Sequence, residues 1–90
     1  MSTSPLITST SDEWFIYIVK CADESLYTGI AKNVDERISK HNAGTGAKYT
    51  RARRPVVEVY RESATSRSEA TKREIEIKKL SRKEKLALIV

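Results

Sequence analysis

One cysteine, Cys21, and one histidine, His41, are all that this 90-residue chain holds of those two residue types. A single thiol leaves no intramolecular disulfide and no cysteine-based zinc site, and a single imidazole leaves no histidine cluster. No run is long or apolar enough to cross a bilayer. Met1 to Ser11 carries no Lys or Arg and no apolar centre, so it has neither part of a signal peptide. Rich in Ser and Thr, residues 1–12 are expected to form a disordered leader. Neither an internal repeat nor a linker interrupts the remainder. Residues 13–90 therefore read as a single domain with a small core, built from the aliphatics, Trp14, Phe15 and the tyrosines.

Charge is present in quantity. Asp, Glu, Lys and Arg make up 32% of the residues, and the net charge is +5. A basic surface favours polyanions, either nucleic acid or an anionic membrane. The composition suits a reducing, cytoplasmic setting.

Local patterns place the elements. Trp14-Phe15-Ile16-Tyr17-Ile18-Val19-Lys20 is aromatic and β-branched and predicts a strand. Ala22 to Ser25 is a short polar connection, and Leu26-Tyr27-Thr28-Gly29-Ile30 resumes the strand pattern. Tyr17 and Tyr27 then lie on adjacent antiparallel strands. Gly29 within a strand implies a bulge or a close approach to the backbone. Asn33-x-x-Glu36 opens a helix of about ten residues, with Val34, Ile38 and His41 on one face. Ala43-Gly44-Thr45-Gly46 ends it. A loop with four cations and no acid follows, Lys48 to Arg54, and Val56 to Tyr60 forms a third strand. Ser66-x-x-Glu69 and Ser81-x-x-Glu84 cap two further helices. The order β-β-α-β-α-α implies an α/β (α+β) domain, a three-stranded sheet with helices packed on it.

Several residues could carry chemistry. On the helix after Ser66, Glu74 shares a stripe with Ala70, Ile77 and Leu80, whereas Glu69 and Glu76 point away. An inward carboxylate needs a cation or a metal. Mg²⁺ is commonly held by one or two carboxylates, with phosphate oxygens and waters completing the shell. A salt bridge to Arg37 or a lysine is the plainer alternative. Arg37 and His41, four residues apart, can converge on one point. A guanidinium suits phosphate oxygens, and an imidazole can relay protons near neutrality. Equally, Arg37 could pair with Asp35 or Glu36, and His41 could serve as a helix-end residue. Tyr17 and Tyr27 could position water or donate to phosphate, or they could simply pack. Trp14 and Cys21 read as structural.

Taken together, Phe15-Ile16-Tyr17, Tyr27-Thr28-Gly29, Arg37, His41 and Glu74 resemble the motifs of the GIY-YIG nuclease superfamily in order and approximate spacing. More narrowly, the pattern is similar to the small stand-alone bacterial members, and Gly46-Ala47-Lys48-Tyr49-Thr50 resembles a segment of that branch. The resemblance runs from Trp14 to about Leu80. Phe15 stands in place of the first motif's Gly, and Thr28 in place of the second motif's Ile. What the resemblance implies is a small domain with a three-stranded antiparallel sheet, cleaving DNA phosphodiesters with one divalent ion. Glu74 would ligate Mg²⁺ or Mn²⁺. Tyr17, with or without His41, would activate water, while Arg37 and Tyr27 would hold the scissile phosphate.

In a chain of this length no separate recognition module is expected. Structure-specific or non-specific cleavage is expected, in repair or recombination. Lys48, Tyr49, Arg51, Arg53 and Arg54 would bind DNA, the cations through phosphates and Tyr49 by stacking. The alternative is a nucleic-acid-binding module without catalysis. A third reading is a docking domain that uses Leu86, Leu88, Ile89 and Val90, which could also form a homodimer surface. The expectation is a monomer or weak homodimer with DNA as partner, no membrane and no small-molecule cofactor.

Overall fold

The computed structural model describes residues 13–90, so the expected leader lies outside the described residues. The chain forms β1 (Trp14–Lys20), β2 (Leu26–Ala31), α1 (Val34–Ala43), α2 (Lys48–Arg51), β3 (Val57–Ala64), α3 (Arg67–Lys78) and α4 (Arg82–Ile89). The three strands form one antiparallel sheet in the order β2-β1-β3. The domain is therefore the three-stranded antiparallel α+β fold that the sequence implies.

β1 is central because it can bury both of its faces. Side chains alternate across a strand, and both sets here are apolar. Ile16 and Ile18 point to one side, where they meet Ala70 and Ile77 of α3 and Leu88 and Ile89 of α4. Tyr17 and Val19 point to the other, where they meet Val34 of α1 and Val56. All four of these β1 side chains are at most 1% exposed. Helices thus cover the sheet on both faces.

Three details differ from the sequence reading. β3 continues past Tyr60 to Ala64 and pairs along the length of β1, from Lys20↔Val57 to Trp14↔Ala64. Its polar end is held by charge. Arg61 binds Glu58 and Asp35, and Glu62 binds Arg73 of α3 at 2.7 Å. Secondly, the sheet's irregularity lies between β1 and β3 at Ile18/Val19 rather than at Gly29. Gly29 pairs in register with Tyr17. Finally, part of the basic loop winds into the single turn α2, whose Thr50 is fully buried.

The caps follow the sequence. Asn33, Ser66 and Ser81 accept from the amides of Glu36, Glu69 and Glu84. Only the last is reciprocal, with Glu84 accepting from the Ser81 amide at 2.8 Å. At the C-terminal end, Leu88 and Ile89 pack into the core while Leu86 and Val90 stay exposed.

Candidate active site

Residues directly opposite in an antiparallel pair share a face. Tyr17↔Gly29 and Val19↔Tyr27 are such pairs, so the two tyrosines lie diagonally across the same face. The Tyr17 ring crosses the strand at Gly29. A Cβ at that position would lie 2.5 Å from Oη and 2.7 Å from Cζ of Tyr17. Glycine is therefore required there by the neighbouring phenol, which accounts for the close approach that the sequence suggested.

His41 comes from the last turn of α1, between the two aromatics. Its Nε2 lies 2.8 Å from the Tyr17 hydroxyl. Tyr27 meets the imidazole edge-on, with centroids 5.4 Å apart. On its other side, Nδ1 lies 2.7 Å from Oγ1 of Thr50. Oγ1 is also 3.0 Å from the Ala47 carbonyl, which can only accept. Thr50 has one hydrogen, so it donates to Ala47 and accepts from His41 Nδ1–H. Nε2 is then bare and accepts from the Tyr17 O–H. The Ala47 amide also points at Nδ1, at 3.4 Å, and would require the opposite tautomer. Two short contacts outweigh that long one. Gly46 lets the loop close over the ring, since a Cβ there would meet Nδ1 at 2.5 Å.

Electrostatics sharpen this pair. Burial pushes the Tyr17 phenol above its ordinary 10.0; Arg37 opposes the shift, and Tyr27 and Glu74 add to it. Burial, followed by the Arg37 cation, presses His41 below its ordinary 6.5. At neutral pH the phenol keeps its proton and the imidazole offers a lone pair. Arg37 is close enough to act on both groups, yet it makes no ion pair among the described residues. Asp35, a candidate partner in the sequence, binds Arg61 at 3.0 Å instead. An arginine set among buried groups without an acid suits an anion that the protein itself does not supply.

Glu74 arrives from α3, which packs against β1 and β2. The Arg73–Glu62 ion pair ties this helix to β3. The Glu74 side chain is 18% exposed and lies 3.3 Å from Lys78. Lys78 in turn stands 6.0 Å from the Tyr27 ring. The lysine salt bridge foreseen for Glu74 is thus present, but Lys78 is half exposed, and such pairs hold weakly. No group of three or more His, Cys, Asp or Glu that could hold a metal occurs among the described residues. One carboxylate with a displaceable lysine fits a single hard ion that takes its other ligands from phosphate and water.

Tyr17, Tyr27, Arg37, His41 and Glu74 thus come together along β2. Thr50 appears in the sequence only as the end of the Gly46-Ala47-Lys48-Tyr49-Thr50 segment, with no chemical role, and Lys78 is not singled out. Thr50 looked like one of several polar residues in a loop, and Lys78 like a solvated helix charge. The only available signal was spacing: Lys78 is four residues after Glu74.

The basic segment divides. Arg53 lies 3.9 Å over the Tyr49 ring, pairs with Asp23 at 3.1 Å and donates to the Tyr49 carbonyl. Arg54 donates to the carbonyls of Arg51 and Asn42. Both guanidinium groups are engaged in holding the loop. Lys48 and Arg51 are exposed and make no ion pair among the described residues. Tyr49 also stacks on Tyr27, with centroids 5.8 Å apart.

This fold and this cluster define a GIY-YIG domain. Residues 13–87 match the GIY-YIG catalytic domain family, and the chain belongs to that nuclease family. Curated relatives carry the name UPF0213 protein. One from Staphylococcus haemolyticus is 61% identical over 83% of this chain and 92% of its own length. Another, from Staphylococcus saprophyticus, is 62% identical over 87% and 95%. Among solved structures, the UPF0213 protein BH0048 from Bacillus halodurans is 45% identical with a TM-score of 0.55, over 86% of this chain and 82% of that one. A protein from E. faecalis is 39% identical with a TM-score of 0.57, over 84% and 82%. No helix among the described residues is long and apolar enough to cross a membrane.

Proposed function

We propose that this protein is a divalent-metal-dependent DNA endonuclease of the cytoplasm. It would act on branched DNA or without specificity, in repair or recombination. The observation that carries this reading is the buried Tyr17–His41 contact beside an Arg37 that makes no ion pair among the described residues. A neutral phenol is a poor base, but a phenol hydrogen-bonded to a bare imidazole nitrogen can pass a proton along. As water attacks phosphorus, its proton moves to the Tyr17 oxygen while the Tyr17 proton moves to His41 Nε2; the P–O bond opposite the water breaks, and the departing sugar oxygen takes a proton from solvent. His41 Nδ1–H stays on Thr50, which holds the resulting imidazolium in place. Arg37 and the Tyr27 hydroxyl bind the non-bridging oxygens and stabilise the charge that develops on them. Glu74 would hold Mg²⁺ or Mn²⁺, and such an ion supplies Lewis-acid stabilisation of the phosphate.

The test is incubation of supercoiled plasmid and branched DNA with Mg²⁺ or Mn²⁺, alongside Glu74→Ala. The expected outcome is metal-dependent nicking by the parent and none by the variant. The Glu74–Lys78 ion pair favours one other reading, a binding module in which Glu74 only anchors a lysine. Tight DNA binding without cleavage of any substrate would establish that module and reject the hydrolase.

A further inference from the structure

A shallow cavity of ≈ 320 Å³ opens beside the site. Trp14 and Ile30 contribute apolar wall, and Lys32, Arg37 and Lys40 stand along it. Glu36 is the single acid on its lining. Arg37 belongs both to this groove and to the candidate active site. Neither Lys32 nor Lys40 makes an ion pair among the described residues. The Lys32 ammonium stands 5.8 Å from the Trp14 ring centroid, and the Arg67 guanidinium stands 5.7 Å from it.

We infer that this groove is a nucleotide subsite. It receives the sugar and base next to the scissile phosphate of one DNA strand, with the neighbouring phosphate on Lys32 and Lys40. The inference rests on the hydrolase reading and extends it by giving the strand a path. Three points support it. An apolar wall with a few convergent polar groups is what a small organic ligand needs, and the volume lies at the lower end of such pockets. Three cations face one acid along the rim, which suits a polyanion. Arg37 ties the groove to the scissile phosphate, so a strand held at one would be in register at the other. The basic loop is a poorer track, because Arg53 and Arg54 already bind protein groups.

Trp14 is the only tryptophan in the chain, so the intrinsic tryptophan emission comes from the wall of this groove. The full chain is titrated with a short single-stranded DNA without divalent metal, and separately with inorganic phosphate. Saturable change in Trp14 emission with DNA and none with phosphate supports the subsite. In Lys32→Ala, an exposed position, the salt dependence of binding is expected to flatten by about 0.7 in log–log slope. Lys40→Ala should do the same. If a labelled strand binds by anisotropy while Trp14 emission and both lysine variants stay unchanged, the groove is overturned and the hydrolase reading survives. An equal response to phosphate alone also overturns it, since that needs no nucleoside. A Trp14 response without cleavage of any substrate would instead sink the hydrolase reading and leave the groove standing.

Discussion

Replacing Thr50 by valine removes one oxygen and nearly preserves shape. That oxygen accepts from His41 Nδ1–H at 2.7 Å and donates to the Ala47 carbonyl at 3.0 Å. Thr50 is fully buried, so no water replaces it. Leaving buried partners unsatisfied costs about 1–3 kcal/mol, and a loss of about 2 kcal/mol lowers the melting temperature by roughly 8–16 °C in a domain of this size. Thr50→Ser keeps the hydroxyl and deletes a methyl, for about 0.8 kcal/mol. Stability alone cannot reveal the role of the hydroxyl, but the tautomer can. Without Thr50 Oγ1, the nearest partner left to Nδ1 is the Ala47 amide at 3.4 Å, a donor. His41 should then shift its proton to Nε2 and donate to Tyr17, so it no longer accepts the Tyr17 proton. Loss of that proton transfer lowers cleavage by about 10²-fold or more. Nitrogen NMR of the chain's single histidine reads the tautomer directly. The reasoning fails if the parent already carries its proton on Nε2, or if valine leaves both tautomer and cleavage unchanged.

Gly29→Ala would set a Cβ 2.5 Å from the Tyr17 hydroxyl and force the ring away. Overpacking of this kind costs about 1–3 kcal/mol, and urea melts should show that loss together with collapse of cleavage. Because the folded-state pKa of His41 is depressed, the unfolded chain binds the extra proton first as pH falls. Stability from this group is present above pH 6.5 and is lost as pH drops through the lower folded-state value. The acid limb of cleavage should track the same imidazole below pH 6.5, and an acid limb centred above 6.5 would contradict it. Arg54→Ala should lower stability by about 1 kcal/mol through its lost carbonyl contacts, measured by thermal melt. Lys48→Ala with Arg51→Ala should instead leave the melting temperature in place and flatten the salt dependence of DNA binding, and an unchanged slope would remove them from the interface.

Much of this was legible in the residues themselves. The β1 pattern of Ile16, Tyr17, Ile18 and Val19 is apolar on both sides, which marks a central strand. Gly29 announced a close approach, and the stripe holding Glu74 placed it on the inner side of its helix. What escaped depends on contacts distant in sequence. The polar end of β3 looks unlike a strand until Arg73 on α3 supplies a partner for Glu62. Arg53 and Arg54 look like free cations until Asp23 and the carbonyls of Tyr49, Arg51 and Asn42 come within reach. Thr50 belongs to a segment that resembles the family, but nothing local gives it a chemical role, because that role comes from an imidazole nine residues earlier.

β1 has neighbours on both edges and helices over both faces. Its amides can meet solvent only when the whole domain opens, so they should be the slowest to exchange with deuterium. Tyr17 sits in the middle of that strand. Fraying of the terminal helix, which packs on the opposite face, leaves the phenol in place, and its alignment persists for as long as β1 and β2 stay paired.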